Sequence, residues 1–148
     1  MGNRAVITFA PQGVPAVGVY IHWNGGRDSV RAFLDTCEQR GYRCPASDPA
    51  YAMAGLVGVI REFFGPGGLS LGVDLVDRLD CDNWDNGVYQ VGAGWEIVGR
   101  WGKGSETLAA TVAPLAGAEL AKYRGIVDQL AETLAATVAH HARAGAAA

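Results

Sequence analysis

The chain is organised around one stretch, Val17-Gly-Val-Tyr-Ile-His-Trp-Asn-Gly-Gly-Arg-Asp-Ser-Val-Arg-Ala-Phe-Leu-Asp35. Its first part alternates apolar and other residues with a period of two, which predicts a β-strand with one buried face. The glycine pair that follows predicts a tight loop, because glycine reaches backbone angles that other residues avoid. Apolar residues then recur at helical spacing, with Asp28 or Ser29 as the expected N-cap. The stretch therefore predicts a strand, a glycine loop and a helix.

The glycine loop is the best candidate for a binding site in the sequence. Unpaired backbone N–H groups at a helix N-terminus attract anions, an arginine can bind phosphate through two hydrogen bonds, and a tryptophan can stack on a base. We therefore expect a phosphate-bearing small molecule, such as a nucleotide, as ligand. The predicted binding residues are His22, Trp23, Asn24, Gly25, Gly26, Arg27 and Ser29.

A purely structural interpretation of the same loop carries equal weight. The two glycines then only turn the chain, Trp23 covers the core, and Arg27 pairs with a nearby carboxylate. The negative charge of Asp28 and of the whole chain counts against an anionic ligand at this place.

The residues before this stretch predict its hairpin partner. Residues 3–9 are rich in β-formers and precede a Pro/Gly turn at 10–15, so an antiparallel hairpin with the strand at 17–22 is expected. A loop of this length does not fix the register. Whether Arg4 and His22 share a face of the sheet is therefore open.

A second helix is predicted to begin at Asp48-Pro49, an N-cap followed by proline at the first helical position. Residues 50–60 contain no charged side chain, which indicates a buried helix. Its expected core residues are Met53, Leu56, Val57, Ile60 and Phe64.

Further strands are expected at residues 69–73, 88–91 and 95–101. Asn86-Gly87 predicts a two-residue hairpin turn with both residues at positive φ. The acidic loop at 80–87 fits the EF-hand calcium pattern in neither register, since Trp84 falls on a ligand position in both. Asx-turns at the end of a hairpin are the better interpretation, and the role of this loop stays open.

The composition changes after residue 101, where a flexible joint precedes an alanine-rich segment. Residues 115–142 are expected to form one long helix with a single apolar stripe: Leu120, Tyr123, Val127, Leu130 and Leu134. Either the chain's own domain or a second copy must cover that stripe, and a two-fold homodimer is expected.

These elements predict an α+β fold, an antiparallel sheet packed by two helices, plus a long C-terminal helix. Two parts are distinguished: an α+β core at 1–101, and a linker with the alanine-rich helix at 102–148.

Composition limits the classes of function. The chain has 148 residues, 49% hydrophobic content and a net charge of −3, which describes a globular protein and gives no reason to expect nucleic acid. No apolar run is long enough to cross a membrane and no signal peptide is visible, so a cytoplasmic protein with three free thiols is expected.

Catalysis is less expected than binding. The sequence contains no nucleophile elbow, no H-E-x-x-H motif and neither a P-loop nor a dinucleotide fingerprint. His22 beside Asp28 could perform acid–base chemistry, although a single histidine at a strand end is more often structural. We therefore expect no catalytic residues, no metal and no cofactor.

Several segments together resemble a set of small proteins from bacteriophages and prophages. In that set a Met-Gly-x-Arg start and a His-Trp-Asn/Asp-Gly loop recur. The resemblance covers roughly residues 1–101 and rests on Met1-Gly-Asn-Arg-Ala-Val-Ile7, Val19-Tyr-Ile-His-Trp-Asn-Gly-Gly-Arg-Asp-Ser-Val30, Asp77-Arg-Leu-Asp-Cys-Asp-Asn83, Asp85-Asn-Gly-Val-Tyr89 and Trp95-Glu-Ile-Val-Gly-Arg100.

The resemblance implies a phage accessory protein in the cytoplasm of the host cell, and it carries no catalytic residue across. Such proteins often counter host defence, so we expect sequestration of a nucleotide signal. The alternative is a protein-binding, inhibitory module that acts through its C-terminal helix and dimer surface.

Overall fold

The computed structural model describes residues 2–67 and 71–148. Within these residues five strands and four helices follow one another along the chain: β1 Ala5–Thr8, β2 Val17–Ile21, α1 Arg27–Gln39, α2 Pro49–Phe64, β3 Leu71–Leu75, β4 Val88–Val91, β5 Ile97–Trp101, α3 Leu108–Val112 and α4 Gly117–Ala147. The α+β class, the hairpin of the first two strands and the long last helix are confirmed. The strand expected at 69–73 begins at Leu71, and its first two positions lie outside the described residues.

The sheet has the strand order β3-β2-β1-β4-β5 and is mostly antiparallel. Among the described strands only one neighbouring pair, β1 with β4, runs parallel, with Ile7 opposite Tyr89. A short 3-10 turn at Val76–Arg78 leads the chain from β3 back past β2, and Gly18 faces Val76 and Leu79 of this connection. The chain thus crosses from one side of the β1–β2 hairpin to the other before β4 begins.

The hairpin turn predicted at Asn86-Gly87 is wrong. Gly87 has φ +64°, but Asn86 is not in the left-handed region, and β4 pairs with β1 and β5 rather than with the strand before it. The physical reason is Asn83. Its side chain accepts hydrogen bonds from the backbone N–H groups of residues 85, 86 and 87, at 3.0–3.1 Å, and closes the loop as an Asx-type turn.

The core lies between one face of the sheet and helices α1 and α2. Val19 and Ile21 of β2 and Ile7 of β1 are fully buried there, together with Phe33 of α1 and Leu56 of α2. Asp48 caps α2 as predicted, since its carboxylate accepts a hydrogen bond from the N–H of Tyr51.

Helix α2 differs from its prediction in exposure. Met53, Leu56 and Ile60 are buried and Val57 and Phe64 pack partly against the core, but the opposite face of the helix is in solvent. The exposed residues of that face include Ala50, Tyr51, Ala54 and Gly58. A run without charge therefore did not mean burial on all sides.

The long helix α4 packs across α1 and α2 with its first half. Ile126 and Leu130 are buried, and Tyr123 and Val127 pack against the core. The chain's own domain thus covers most of the predicted stripe, while Leu134 stays 40% exposed. No described helix is long and apolar enough to cross a membrane.

Candidate functional site

The glycine corner joins β2 to α1 by a close backbone approach. The N–H of Gly25 donates to the carbonyl of Asn3 at 2.7 Å, and the N–H of Asn3 donates to the carbonyl of His22 at 3.0 Å. A Cβ atom on Gly25 would lie 2.6 Å from that Asn3 oxygen. The hydroxyl of buried Tyr89 donates to the Gly25 carbonyl at 2.8 Å. Glycine is therefore required here by space rather than by positive φ, which Asn24 supplies instead at +60°.

The aromatic candidates lie on the outer side of this corner. His22 is half-buried, with Nδ1 3.0 Å from the Tyr20 hydroxyl, and its ring contacts the edge of Trp23 at 4.9 Å between centroids. The Trp23 side chain is 46% exposed. Arg4 and His22 lie close together on one side, since a Cβ atom on Gly2 would be 3.1 Å from both the Cγ of Arg4 and the Nε2 of His22, which answers the question that the sequence left open.

The N-cap prediction for α1 is wrong. The helix begins at Arg27 with Gly26 as N-cap, so Asp28 and Ser29 already belong to its first turn. The Asp28 carboxylate accepts hydrogen bonds from the N–H and hydroxyl of Ser29, at 2.6 and 3.2 Å. Both side chains are buried, and the amide of Asn24 lies 3.4 Å from the Ser29 hydroxyl. A carboxylate of the chain itself thus occupies the positive end of the helix, where an external anion was expected.

Arg27 is a helical residue and not a loop-tip residue. Its guanidinium donates two hydrogen bonds to the Glu119 carboxylate, at 2.8 Å each, and further bonds to the carbonyls of Ala110 and Ala113 at 2.8 and 2.7 Å. This hydrogen bonding raises the pKa of Arg27 and lowers the pKa of Glu119. Arg27 therefore pairs with a carboxylate, as the structural interpretation of the glycine loop expects.

A small polar cavity of about 150 Å³ lies beside the corner. Its cationic groups are Arg27, Arg100 and Lys122, and its carboxylates are Asp28, Glu106 and Glu119. Arg100 lies over the Tyr89 ring at 3.8 Å from the centroid, and burial lowers the pKa of its guanidinium. The remaining lining residues are Asn3, Gly26, Asn86 and Tyr89. The cavity brings Gly26 and Arg27 together with residues that are distant in sequence, whereas Trp23 is not among its lining residues.

The acidic loop is a folded part of the scaffold. Arg4 donates to Asp85 from its guanidinium at 2.7 Å and from its backbone N–H at 3.1 Å, and the hydrogen bond from the guanidinium lowers the pKa of Asp85 most. The buried Asn83 side chain organises the loop from inside. Among the described residues no three His, Cys, Asp or Glu side chains are grouped to hold a metal ion.

An apolar groove beside α2 is a concave feature that the sequence did not predict. It has a volume of about 730 Å³ and lies between α2 and the sheet. All of its lining residues are apolar: Phe9, Ala10, Ala16, Val17, Pro49, Ala50, Met53, Ala54, Val57 and Val73. The charge-free run at 50–60 is the signal for this groove in the sequence, but such a run equally predicts a helix that is buried on all sides.

Comparison with known proteins places the chain in no family. No family model matches it, and neither a curated protein nor a solved structure matches it significantly.

Proposed function

We propose that the chain is a non-catalytic, phage-type accessory protein that binds another protein through the C-terminal half of α4. The observation that supports this is the course of one apolar stripe. It begins inside the molecule at Leu130, which is fully buried, and continues four and eight residues later at Leu134 and Val138, which are 40% and 60% exposed. An apolar stripe that continues along a helix beyond the core is typical of helices that bind in an apolar groove of a partner protein.

The exposed part of α4 is long enough for such a contact. Every residue from 134 to 147 is exposed, which corresponds to roughly 21 Å of helix at 1.5 Å per residue. An isolated helix of this length is marginal in water, although its alanines favour helix formation. Binding in a groove would bury the stripe and stabilise the helix at the same time.

The base of this segment is held firmly to the domain. Gln129 donates to the carbonyl of Phe63 at 3.0 Å, and Arg40 donates to the carbonyl of Leu130 at 3.1 Å. Residues 131–148 carry only Glu132 and Arg143 as formal charges beside two histidines. The partner surface that fits is therefore an uncharged apolar groove on a protein, and it is not nucleic acid, which needs a cluster of cations.

A test uses two double variants of the full chain. Leu134→Glu with Val138→Glu places two glutamates on the stripe. As a control, Ala136→Glu with His140→Glu places two glutamates about 200° around the helix from the stripe. A photo-crosslinking residue at position 131 in bacterial cells should capture one discrete protein from the wild type and the control, but not from the stripe variant. Equal capture by all three chains, or capture by none, would refute the proposal.

A second candidate function is binding of a phosphate-bearing small molecule beside the glycine corner, in the sense of sequestering a nucleotide signal. Its support is the polar cavity, which collects Arg27, Arg100 and Lys122 around Gly26. A cavity of about 150 Å³ accommodates a phosphate group, and the rest of a ligand would lie outside it.

Thermal-shift measurements with inorganic phosphate and with nucleotides test this second candidate. A ligand at 100 times its dissociation constant stabilises by about 2.7 kcal/mol. Lys122→Ala should remove the shift, because Lys122 is 40% exposed at the cavity and its nearest ionic partner is Asp28 at 3.7 Å. Lys122 is the only lysine in α4, so Arg124→Ala, at another position of the same helix, serves as the control. A wild type that no phosphate compound stabilises would exclude this function.

A further inference from the structure

One edge of the sheet is apolar on the side that faces the helices. In β3, Val73 lies opposite Val19 and Leu75 opposite Val17, so these side chains share the core face of the sheet. Val73 is 52% exposed, Leu75 39% and Val17 46%. Val17 and Val73 also line the apolar groove beside α2.

Among the described residues no strand pairs with the outer side of β3. The N–H of Val76 donates to Ala16 on the β2 side, and N–H directions alternate along an antiparallel strand. The N–H and C=O groups of Leu71, Val73 and Leu75 therefore point away from β2, toward the open edge. In agreement with this, the N–H of Leu75 donates to the carboxylate of its neighbour Asp74, at 2.7 Å, instead of to a strand. An edge of this kind is a template for another strand.

The edge is complementary to itself in one register. If two β3 strands pair antiparallel around Val73, that residue faces its own copy and Leu75 faces Leu71. Asp74 then lies opposite Gly72, so the two carboxylates do not oppose each other. A register centred on Asp74 would place like charges directly opposite, which is destabilising. The valine-centred register uses all six outward N–H and C=O pairs, and Leu75 exchanges its bond to Asp74 for one to the second strand.

The helix layer fits the same symmetry. In a continuous antiparallel sheet, the helix-covered faces of the two copies lie on the same side. Each α2 would then turn its exposed face toward the α2 helix of the other copy. The exposed positions Ala50, Ala54 and Gly58 are small, which permits close approach of two helices along this line, with the exposed Tyr51 beside it. Residues 50–60 contain no charge, so the part of α2 that lines the groove brings no charged side chain into the interface, whereas Arg61 lies on the same exposed face beyond it.

We propose that this chain forms a two-fold homodimer by antiparallel pairing of β3 centred on Val73, with the two exposed faces of α2 packed over the joint. The dimer interface lies on β3 and α2 rather than on the stripe of α4. It leaves both α4 segments free, so the inference stands independently of the protein-binding function proposed above.

The first test compares the two edges of the sheet by sedimentation equilibrium on the full chain. Val73→Lys on β3 and Val98→Lys on β5 replace similarly exposed edge valines, 52% and 40% exposed. In the first variant two lysines meet across the two-fold axis, and we expect the dimer dissociation constant to rise about 100-fold or more. Val98→Lys should dimerise like the wild type. A wild type that stays monomeric at several hundred micromolar overturns the proposal, and so does a Val73→Lys variant with unchanged dimerisation.

The second test reports the register and does not require a lysine to be tolerated. In a background with Cys44→Ser and Cys81→Ser, Val73→Cys places two thiols directly opposite each other. Hydrogen-bonded antiparallel partners lie about 5.5 Å apart between Cα atoms, within the range for a disulfide. Mild oxidation should link Val73→Cys into a covalent dimer and leave Val98→Cys monomeric on non-reducing gels. Equal linkage of both variants, or of neither, contradicts the pairing.

Discussion

Arg27 and Glu119 form an ion pair with two hydrogen bonds across 92 positions of sequence, each bond 2.8 Å long. The pair ties the first turn of α1 to the first turn of α4. The same guanidinium holds carbonyls at the end of α3. A residue selected from the sequence as a phosphate ligand thus connects three helices.

Replacing Arg27 by alanine should reduce the free energy of unfolding by about 1.5–3 kcal/mol, the range for hydrogen bonds to charged groups. Most of this loss comes from the carbonyls of Ala110 and Ala113, because Glu119 is 44% exposed and solvent screens its charge. Urea denaturation measures the difference. Arg124→Ala, an exposed arginine on α4, is the control and should change the free energy by less than about 0.5 kcal/mol. An equal, small effect of both variants would contradict the connecting role.

Stability should fall in acid, with Asp85 as one contributor. The hydrogen bond from Arg4 lowers the folded-state pKa of Asp85 below its ordinary value of 3.8. Its stabilising contribution is therefore complete above that value and is lost as the pH falls through the lower folded-state pKa. Glu119 acts in the same direction, since Arg27 lowers its pKa below 4.5.

Urea denaturation between about pH 6 and pH 2.5 checks this sign. Asp85→Asn should flatten the curve below about pH 4. Asp128→Asn, at an exposed position of α4, provides the control and should leave the shape as in the wild type. A protein that gains stability on acidification would show that the pair does not act as described.

Two glycines should respond to alanine in opposite directions. At Gly25 a methyl group would lie 2.6 Å from the Asn3 carbonyl oxygen, so the backbone must shift, at a cost of about 1–3 kcal/mol. At Gly58, in the exposed face of α2, a methyl group meets no atom of the described residues within 4 Å. Gly58→Ala should therefore stabilise by about 0.5–1 kcal/mol through helix propensity. Thermal unfolding of Gly25→Ala and Gly58→Ala measures the two effects. A change of melting temperature with the same sign in both variants would contradict the predicted opposite effects.

Asn83 should be among the most sensitive polar residues. Its amide is 1% exposed, accepts three backbone hydrogen bonds and donates to the carbonyls of Asp80 and Gly87 at 2.9 and 3.2 Å. Asn83→Ala leaves these groups unpaired and should cost about 3 kcal/mol or more. Trp84→Ala, next in the chain and 71% exposed, should cost less than about 1 kcal/mol. Chemical denaturation distinguishes the two, and a mild Asn83 effect would mean that water replaces the amide.

The sequence by itself determined the local elements of this protein. The alternation at residues 17–21 and the Asp48-Pro49 start gave β2 and α2, because backbone propensity and capping act within a few residues. The same holds for the strand at Val88–Val91. These features depend on interactions between neighbours in the chain, which the sequence displays directly.

The tertiary structure decided the rest. The parallel pairing of β1 with β4, the partners of Arg27 and the open face of α2 each depend on residues far apart in sequence. The glycine corner was found from the sequence, but its interpretation depended on what packs against it: the Asn3 carbonyl explains Gly25, and Glu119 explains Arg27. The packing of the helices and strands in space decides which carboxylate reaches the Arg27 guanidinium and which face of α2 stays in water. No local sequence pattern encodes that packing.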